Sequence, residues 1–373
     1  MSSVPLNAGA PSPASAGPLA TLKALRGRLP AWLPWFVGRL LSGIGVVLVI
    51  SFIVFGATQA LPSDPARIIL GPEAPEHTVD TLRRQLGLDR PLVLQYADWA
   101  QQVLSGNLGR SIDSSVPVGE LMAGRFANSL TLTLAVAAVA FPLALVLGIF
   151  MALRRDSLAD RAVLSSVVLF KAVPGFVIGI CLVMIFSTSV FSILPAASLL
   201  DPSLPAWRQP QYLVLPTATL ALSVATYLLR LVRASMIEAM DSEYVTAARL
   251  RGVPERRIIW RHAVPNALIP AIQGVAMTFR VLFGGAVLAE VIFSYPGIGN
   301  TLNAAIEMRD LPLIQGIVLV ITVGVVVINL AADLITVLLT PRLRTATRIR
   351  ARSPGLRNAA SLWRTGKSWR VSV

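Results

Sequence analysis

Cysteine is all but absent from this sequence. Cys181 is the single one in 373 residues, so neither an intramolecular disulfide nor a thiolate metal cluster can form. Histidine is nearly as scarce: His77 and His262 lie far apart and, in the topology argued below, on opposite sides of a membrane. That excludes a histidine-rich metal or catalytic constellation within one chain. Charged residues make up only 14% of the sequence, and 19 acids face 33 lysines and arginines. There is no nucleophile elbow, zinc-protease helix or dinucleotide glycine motif. Gly366-Lys367-Ser368 has the form of the tail of a phosphate loop, but Ser361 stands where the first glycine belongs and no strand precedes it. No catalytic residue and no metal ligand is assigned, and the pattern argues against an enzyme.

What is present is apolar length. Hydrophobic residues reach 54% and the mean hydropathy is +0.68, too apolar and too poor in charge for a water-soluble chain of this size. The composition describes an all-α, polytopic, integral membrane protein. Six runs, roughly 40–60, 129–153, 164–190, 212–232, 268–292 and 313–339, are long enough to cross about 30 Å of hydrocarbon. Six spans put both termini on one side. Lysine and arginine concentrate in the leader, around Arg154-Arg155, in the loop before the fifth run and in the tail, so these segments are expected in the cytoplasm. The net charge of +14 follows this topology instead of building one face, and without a recognisable reading module nucleic acid is not expected as a partner.

Residues 1–35 carry no acid and are rich in Ala, Pro, Ser and Gly, the composition of a disordered basic leader. The first apolar run has spanning length, longer than the core of a signal peptide, so it is expected to persist as a membrane helix. Residues 345–373 form a basic tail. From Pro341 to Val373 there are nine Arg and Lys and no acid, with Trp363 and Trp369 among them, which suits anionic lipid headgroups.

The most informative stretch is polar and basic, Asp241 to Pro270, set between two apolar runs. Asp241 or Ser242 can cap a helix that starts at Glu243, Gly252 stands where a left-handed C-cap residue belongs, and Pro254 cannot prolong that helix. Tyr244, Ala248 and Gly252 recur every fourth residue and share a face open to close approach by another protein, while Arg249 and Arg251 point elsewhere. Pro254 and Glu255 open a second helix through Arg261 and His262, leading by way of Pro265 and Pro270 into the fifth apolar run. The expected product is a helix-turn-helix elbow at the membrane surface.

With Glu243-Tyr244-Val245, Ala248-Arg249, Gly252 and the closing Asn266-Ala267-Leu268-Ile269-Pro270, this segment resembles the "EAA" loop of ABC importer permeases, above all the dipeptide/oligopeptide/nickel branch. The resemblance spans roughly residues 36–344. It implies the fold of a type I ABC importer permease, six transmembrane helices with a cytoplasmic coupling helix. Glu243, Tyr244, Ala247, Ala248, Arg249 and Gly252 would form that coupling helix, seated in a groove of an ATPase subunit. It further implies a second, homologous permease, two ATP-binding cassette subunits that bind ATP and Mg in place of this chain, and an extracytoplasmic solute-binding protein. The location would be a bacterial or archaeal cytoplasmic (inner) membrane. The implied cargo is a di- or oligopeptide, with nickel complexes, glutathione or another solute as the alternative. A secondary transporter driven by an ion gradient is the rival from a different class; it would show an internal repeat with paired broken helices, and none is found.

Two further regions bear on the resemblance. Residues 62–127, with Pro62-Ser63-Asp64-Pro65, Leu86-Gly87-Leu88-Asp89-Arg90-Pro91 and Gly106-Asn107-Leu108-Gly109-Arg110-Ser111, are similar to the extracytoplasmic segment of the same branch, with Ser63 in place of its usual glycine. Within it, 78–86 and 92–104 read as short amphipathic helices. In the core, residues 128–340, charge inside a span is costly and should face protein or water. Lys171, beside the helix-interrupting Pro174-Gly175-Phe176, Arg280, among Gly274, Gly284 and Gly285, and Glu290 are the candidates for a translocation pathway. Glu290 begins Glu-Val-Ile-Phe-Ser-Tyr-Pro-Gly-Ile-Gly, similar to the family's signature at the outer end of this helix, and Asn329 and Asp333 also resemble family positions. Snorkelling or pairing competes with a pathway role for Lys171, and pairing or capping for Glu290 and Asp333.

Overall fold

The structure is a computed structural model and describes residues 32–60, 65–71, 73–85 and 87–339. The basic tail and nearly all of the leader lie outside the described residues. Residues 42–339 form one compact unit, and residues 32–41 belong to a second, in which the Arg39 guanidinium lies over the Trp35 ring at 5.9 Å. The chain is all-α. Among the described residues the one extended pairing is an isolated bridge between Arg110 and Pro117.

Helix α1, Trp32–Gln59, is the first apolar run. The short helices α2 (Pro65–Leu70), α3 (Glu76–Gln85) and α4 (Leu92–Leu104) follow, the last two where amphipathic periodicity puts them. Tyr96 of α4 meets Phe55 of α1 edge-on and Trp99 meets it at a tilt, with ring centroids 5.8 and 5.7 Å away, and the Ser51 and Tyr96 hydroxyls lie 2.8 Å apart. Helix α5, Val118–Leu153, starts eleven residues before the expected span. Its first turns are not lipid-facing surplus: Val118 and Met122 are buried against Ile298, Leu313 and Ile317 near the ends of other helices.

The third apolar run is not one rod. Helices α6 (Leu158–Ala172) and α7 (Gly175–Val183, prolonged by a π turn through Ser189) meet at 101°. Pro174 has no N–H to donate and forces Val173 into an extended conformation, φ −88° and ψ 127°, so the turn cannot close there. Helix α8, Pro210–Met240, begins on a proline and runs eight residues past the span expected to end at 232. It leads into α9 (Glu243–Leu250), then α10 (Glu255–Ile258), a π turn from Ile259 to Ala263 and α11 (Val264–Ile292). Helices α12 (Ile298–Met308) and α13 (Leu311–Leu339) complete the chain. Among the described residues four helices are long and apolar enough to cross a membrane, and two bent pairs, α6 with α7 and the run 255–292, raise the number to as many as six when each pair is one span.

The core is the meeting of α5, α8 and α11 around Leu132, Val136, Leu228, Leu282 and Phe293. Lipid tails are as apolar as these side chains, so close van der Waals fit, rather than exclusion of water, holds the helices together. Gly148 shows how tight the fit is. A Cβ there would sit 2.8 Å from Val232 and 3.0 Å from the Leu229 carbonyl, so only glycine lets α5 touch α8 at that level. Toward the elbow the contact continues through Ile149, Met236, Ala263 and Ala267.

Candidate functional site

The elbow between α8 and α11 is built by one turn. Gly252 has φ +74°, a backbone conformation that costs an L-residue roughly 1–2 kcal/mol. It lets the Gly252 N–H reach the Arg249 carbonyl at 2.9 Å and the Val253 N–H reach the Ala248 carbonyl at 3.2 Å, the two bonds of a Schellman close. Val253 then falls onto Val245, Ala248 and Ile258, a small core that fixes α9 against α10. Nothing lies within 4 Å of a Cβ built on Gly252, so its outer side is open.

Two expectations for this segment are corrected. Ser242 occupies the N-cap with extended backbone, but its hydroxyl donates back to the Ala239 carbonyl at 2.5 Å instead of accepting from α9. Asp241 does not cap either; it accepts from Arg155 at 3.1 Å. Ala248 is 6% exposed and belongs to the interior of the elbow, so its smallness serves packing on Ile258 and not a partner. The lead into the fifth span runs by way of Pro265 and Pro270, and the chain stays helical through both. The π turn from 259 to 263 precedes the first of them, and Asn266 donates its side-chain amide to the His262 carbonyl at 2.8 Å.

The outward surface is therefore different from the one periodicity draws. Glu243 and Tyr244 are exposed, and so are two large apolar side chains of the elbow, Leu250 at 84% and Trp260 at 59%. Ala247 is half-buried. Arg249 spans the turn to Glu255 with bonds of 2.7 and 3.2 Å, and this hydrogen bonding holds its guanidinium above the ordinary value. Leu250 and Trp260 were legible only as hydrophobic residues in a basic loop.

A second set of contacts, unsuspected from sequence, ties the elbow to the preceding helix pair. Asp160 on α6 is 1% exposed and accepts from both Arg233 Nε at 2.8 Å and Arg233 Nη2 at 2.6 Å, while the Asp156 N–H also points to its Oδ2 at 3.0 Å. Ser157 caps α6 by accepting the Asp160 N–H. The Ser-Leu-Ala-Asp spacing of that capping box was the one available signal. Arg155 to Asp241 adds an exposed bond between the same two places.

Of the pathway candidates, Lys171 is exposed and lines a cleft of about 450 Å³ together with Tyr227, Arg230 and Arg233 of α8. The Arg280 side chain lies outside the described residues. Glu290 is 1% exposed, which favours pairing or capping over a place on the pathway. Its carboxylate accepts from the Ser129 hydroxyl at 2.5 Å and from the Gly299 and Asn300 N–H groups at 2.6 and 3.4 Å, so it caps α12 from the end of α11. The Ser129 hydroxyl oxygen in turn accepts from Ile298 N–H at 2.8 Å. Asp310, also missed, does the same for α13: it accepts from Leu313 N–H at 3.2 Å and holds the loop after Gly109 through Ser111 at 2.5 Å and Ile112 N–H at 3.1 Å. Among the described residues no cluster of three or more His, Cys, Asp or Glu could hold a metal ion.

With this geometry in view, comparison with known proteins is informative. A family model described as binding-protein-dependent transport system inner membrane component matches residues 144–345, and the model of its N-terminal domain matches residues 32–147. A glutathione transport system permease protein of Escherichia coli is 33% identical over 312 residues, covering 84% of this chain and 99% of the relative. Its counterpart in Salmonella choleraesuis is 34% identical over the same length and shares. A putative peptide transport system permease protein of Brucella abortus is 36% identical over 308 residues, 82% of this chain and 97% of the relative.

Proposed function

Since the chain belongs to the family of binding-protein-dependent transport system inner membrane components, we propose that it is one permease half of an ATP-driven importer of di- or oligopeptides. It lies in the cytoplasmic membrane as a multi-pass protein, with both termini and the elbow on the cytoplasmic side. The partners are a second, homologous permease, two ATPase subunits that bind ATP and Mg, and an extracytoplasmic binding protein that selects the solute. The observation that carries the reading is the elbow. A glycine-closed turn between two membrane spans leaves Tyr244, Leu250 and Trp260 exposed, apolar surface that another protein can cover.

In this mechanism ATP binding closes the two ATPase subunits, and α9 moves with the groove it occupies. Glu243 and Arg249 provide polar contacts at its rim, Tyr244 and Leu250 the apolar contact, and Gly252 a turn without a side chain on the partner's side. Helix α8 joins α9 directly, and the Asp160–Arg233 bridge joins α8 to α6, so the displacement of the elbow is passed to two spans at once. The spans then exchange an inward-open for an outward-open arrangement.

Glutathione is the second reading of the cargo, favoured by the names of the Escherichia coli and Salmonella relatives. It is a peptide with two carboxylates, so the same passage would serve it. The test is uptake of labelled dipeptides, longer peptides, glutathione and nickel complexes in a deletion strain with and without this gene restored. Accumulation of peptides upholds the first reading and accumulation of glutathione alone the second. If no ATPase co-purifies with the chain and no solute is taken up at the expense of ATP, the importer reading fails.

A further inference from the structure

Helix α8 carries its polar groups in an unusual place for a membrane helix. Among the residues from 219 to 240, all of them described, exposure is confined to Ser223, Tyr227, Arg230, Ala234 and Glu238. Their spacing of four, three, four and four draws a single stripe along the helix, and the rest of that surface is buried or half-buried in the core. An exposed stripe facing lipid would be apolar. This one holds a hydroxyl, a phenol, a guanidinium and a carboxylate, so it faces water or another polar surface.

Where the stripe passes α6 it lines the cleft of about 450 Å³ that also holds Lys171, a volume in the range that encloses small ligands. Three cations reach this cleft, and they are not equivalent. Arg233 is neutralised by Asp160 through two hydrogen bonds. Lys171 and Arg230 have no ion-pair or hydrogen-bond partner among the described residues. Two uncompensated cations on membrane-spanning helices, opening on the same concavity with a phenol beside them, need an anion or bulk water.

We propose that Lys171 and Arg230, with Tyr227, form an anion site on the wall of the passage that takes a carboxylate or similar oxyanion group. The first source is the transported solute, whose carboxylate would dwell there between the binding protein and the cytoplasm. An anionic lipid headgroup offers the same chemistry, and the experiment separates the two. The site rests on the importer reading for the identity of its ligand, not for its existence.

The assembled transporter is placed in lipid nanodiscs with Cys181→Ser, which removes this chain's only thiol, and with Tyr227→Cys. Ala234→Cys on the same cleft carries the measurement if the tyrosine variant fails to insert. Modification of the new thiol by an anionic and by a cationic methanethiosulfonate is read on this chain by mass spectrometry. The anionic reagent is expected to be preferred, and adding Lys171→Gln with Arg230→Gln should cut that preference about fivefold, the effect of two unit charges close to a thiol in water. If the solute is the source, millimolar trialanine lowers the preference and its C-terminal amide does not, in discs of any lipid. If a headgroup is the source, the preference appears in phosphatidylcholine discs and is suppressed by phosphatidylglycerol. A thiol that neither reagent reaches, or a preference that survives loss of both cations, overturns the site. ATP-driven uptake by the same assembly in vesicles judges the importer reading separately: its absence overturns that reading and leaves the labelling result to stand.

Discussion

The Asp160–Arg233 bridge gives the sharpest stability prediction. Asp160 accepts three N–H groups, two from Arg233 and one from Asp156, and it is 1% exposed. In Asp160→Asn the amide presents one acceptor and one donor. With its nitrogen at the Oδ2 position it faces two donors, Arg233 Nη2 and Asp156 N; flipped, it faces Arg233 Nε. Every rotamer sets donor against donor and leaves the guanidinium without a counter-charge. Breaking a buried pair by removing one partner costs about 3–5 kcal/mol, and because Arg233 keeps 19% exposure the low end, about 3 kcal/mol, applies. For a chain of this size that is a fall of about 4 °C in the unfolding midpoint, followed by intrinsic tryptophan fluorescence of the detergent-purified protein. Asp160→Leu with Arg233→Met removes both charges together and should recover most of the loss, since apolar replacement of a whole pair is close to neutral. A midpoint for Asp160→Asn within 1 °C of the parent, or a double variant as unstable as the single one, would refute the reasoning.

Three other substitutions probe different parts of the argument. Gly252→Ala should cost about 1 kcal/mol, from the left-handed backbone alone because its Cβ meets nothing, and Gly252→Asn less; Gly252→Trp should still insert but lose ATP-driven uptake, and normal uptake would show that no partner covers the turn. Glu290→Gln should lower the unfolding midpoint by the equivalent of about 1–3 kcal/mol, as its amide turns a donor toward Ser129 or Gly299, without changing which solutes are carried; an altered solute preference would restore Glu290 to the pathway. Leu250→Asp should leave the midpoint within about 0.5 kcal/mol, because the side chain is free in this chain, while reducing co-purification of the ATPase at least tenfold; unchanged co-purification would move the docking surface elsewhere.

The parts of this fold that one dimension can carry were readable. Six apolar lengths, the break at Pro174 and the glycine at 252 each depend on a residue's own backbone or on its near neighbours. The two amphipathic helices before α5 depend on nothing more than period. What was misread depends on a partner distant in sequence. Ala248 looked like an outward small residue because its spacing from Tyr244 and Gly252 marks a face, yet spacing cannot say that Ile258 of the same chain folds over it. For Glu290 the sequence left a pathway charge and a cap side by side, because charge in a membrane is rare and spacing names no partner. Its partners, Ser129 and the first N–H groups of α12, come together only when α5 meets the end of α11.

Arg230 and Arg233 show why the pathway in particular escaped a linear reading. In sequence they are two arginines three residues apart at the end of an apolar run expected to stop at 232, which leaves Arg230 just inside the span and Arg233 in the basic loop. In the fold α8 continues to Met240, so neither is in the loop. The helical period then turns them to different surroundings. Arg233 is drawn to a carboxylate 73 positions earlier and becomes a structural strut, while Arg230 meets no acid and opens on the cleft with Lys171. Identical side chains less than one turn apart thus take opposite roles, decided by where α6 supplies its single buried aspartate. Moving that aspartate should move the role: with Asp160→Asn, Arg233 becomes a third unpaired cation of the cleft. The anionic preference of a thiol at residue 234 should then rise about twofold above that of the parent. A preference that does not change would mean that Arg233 is held away from the cleft by packing alone, and that the carboxylate is not what separates the two arginines.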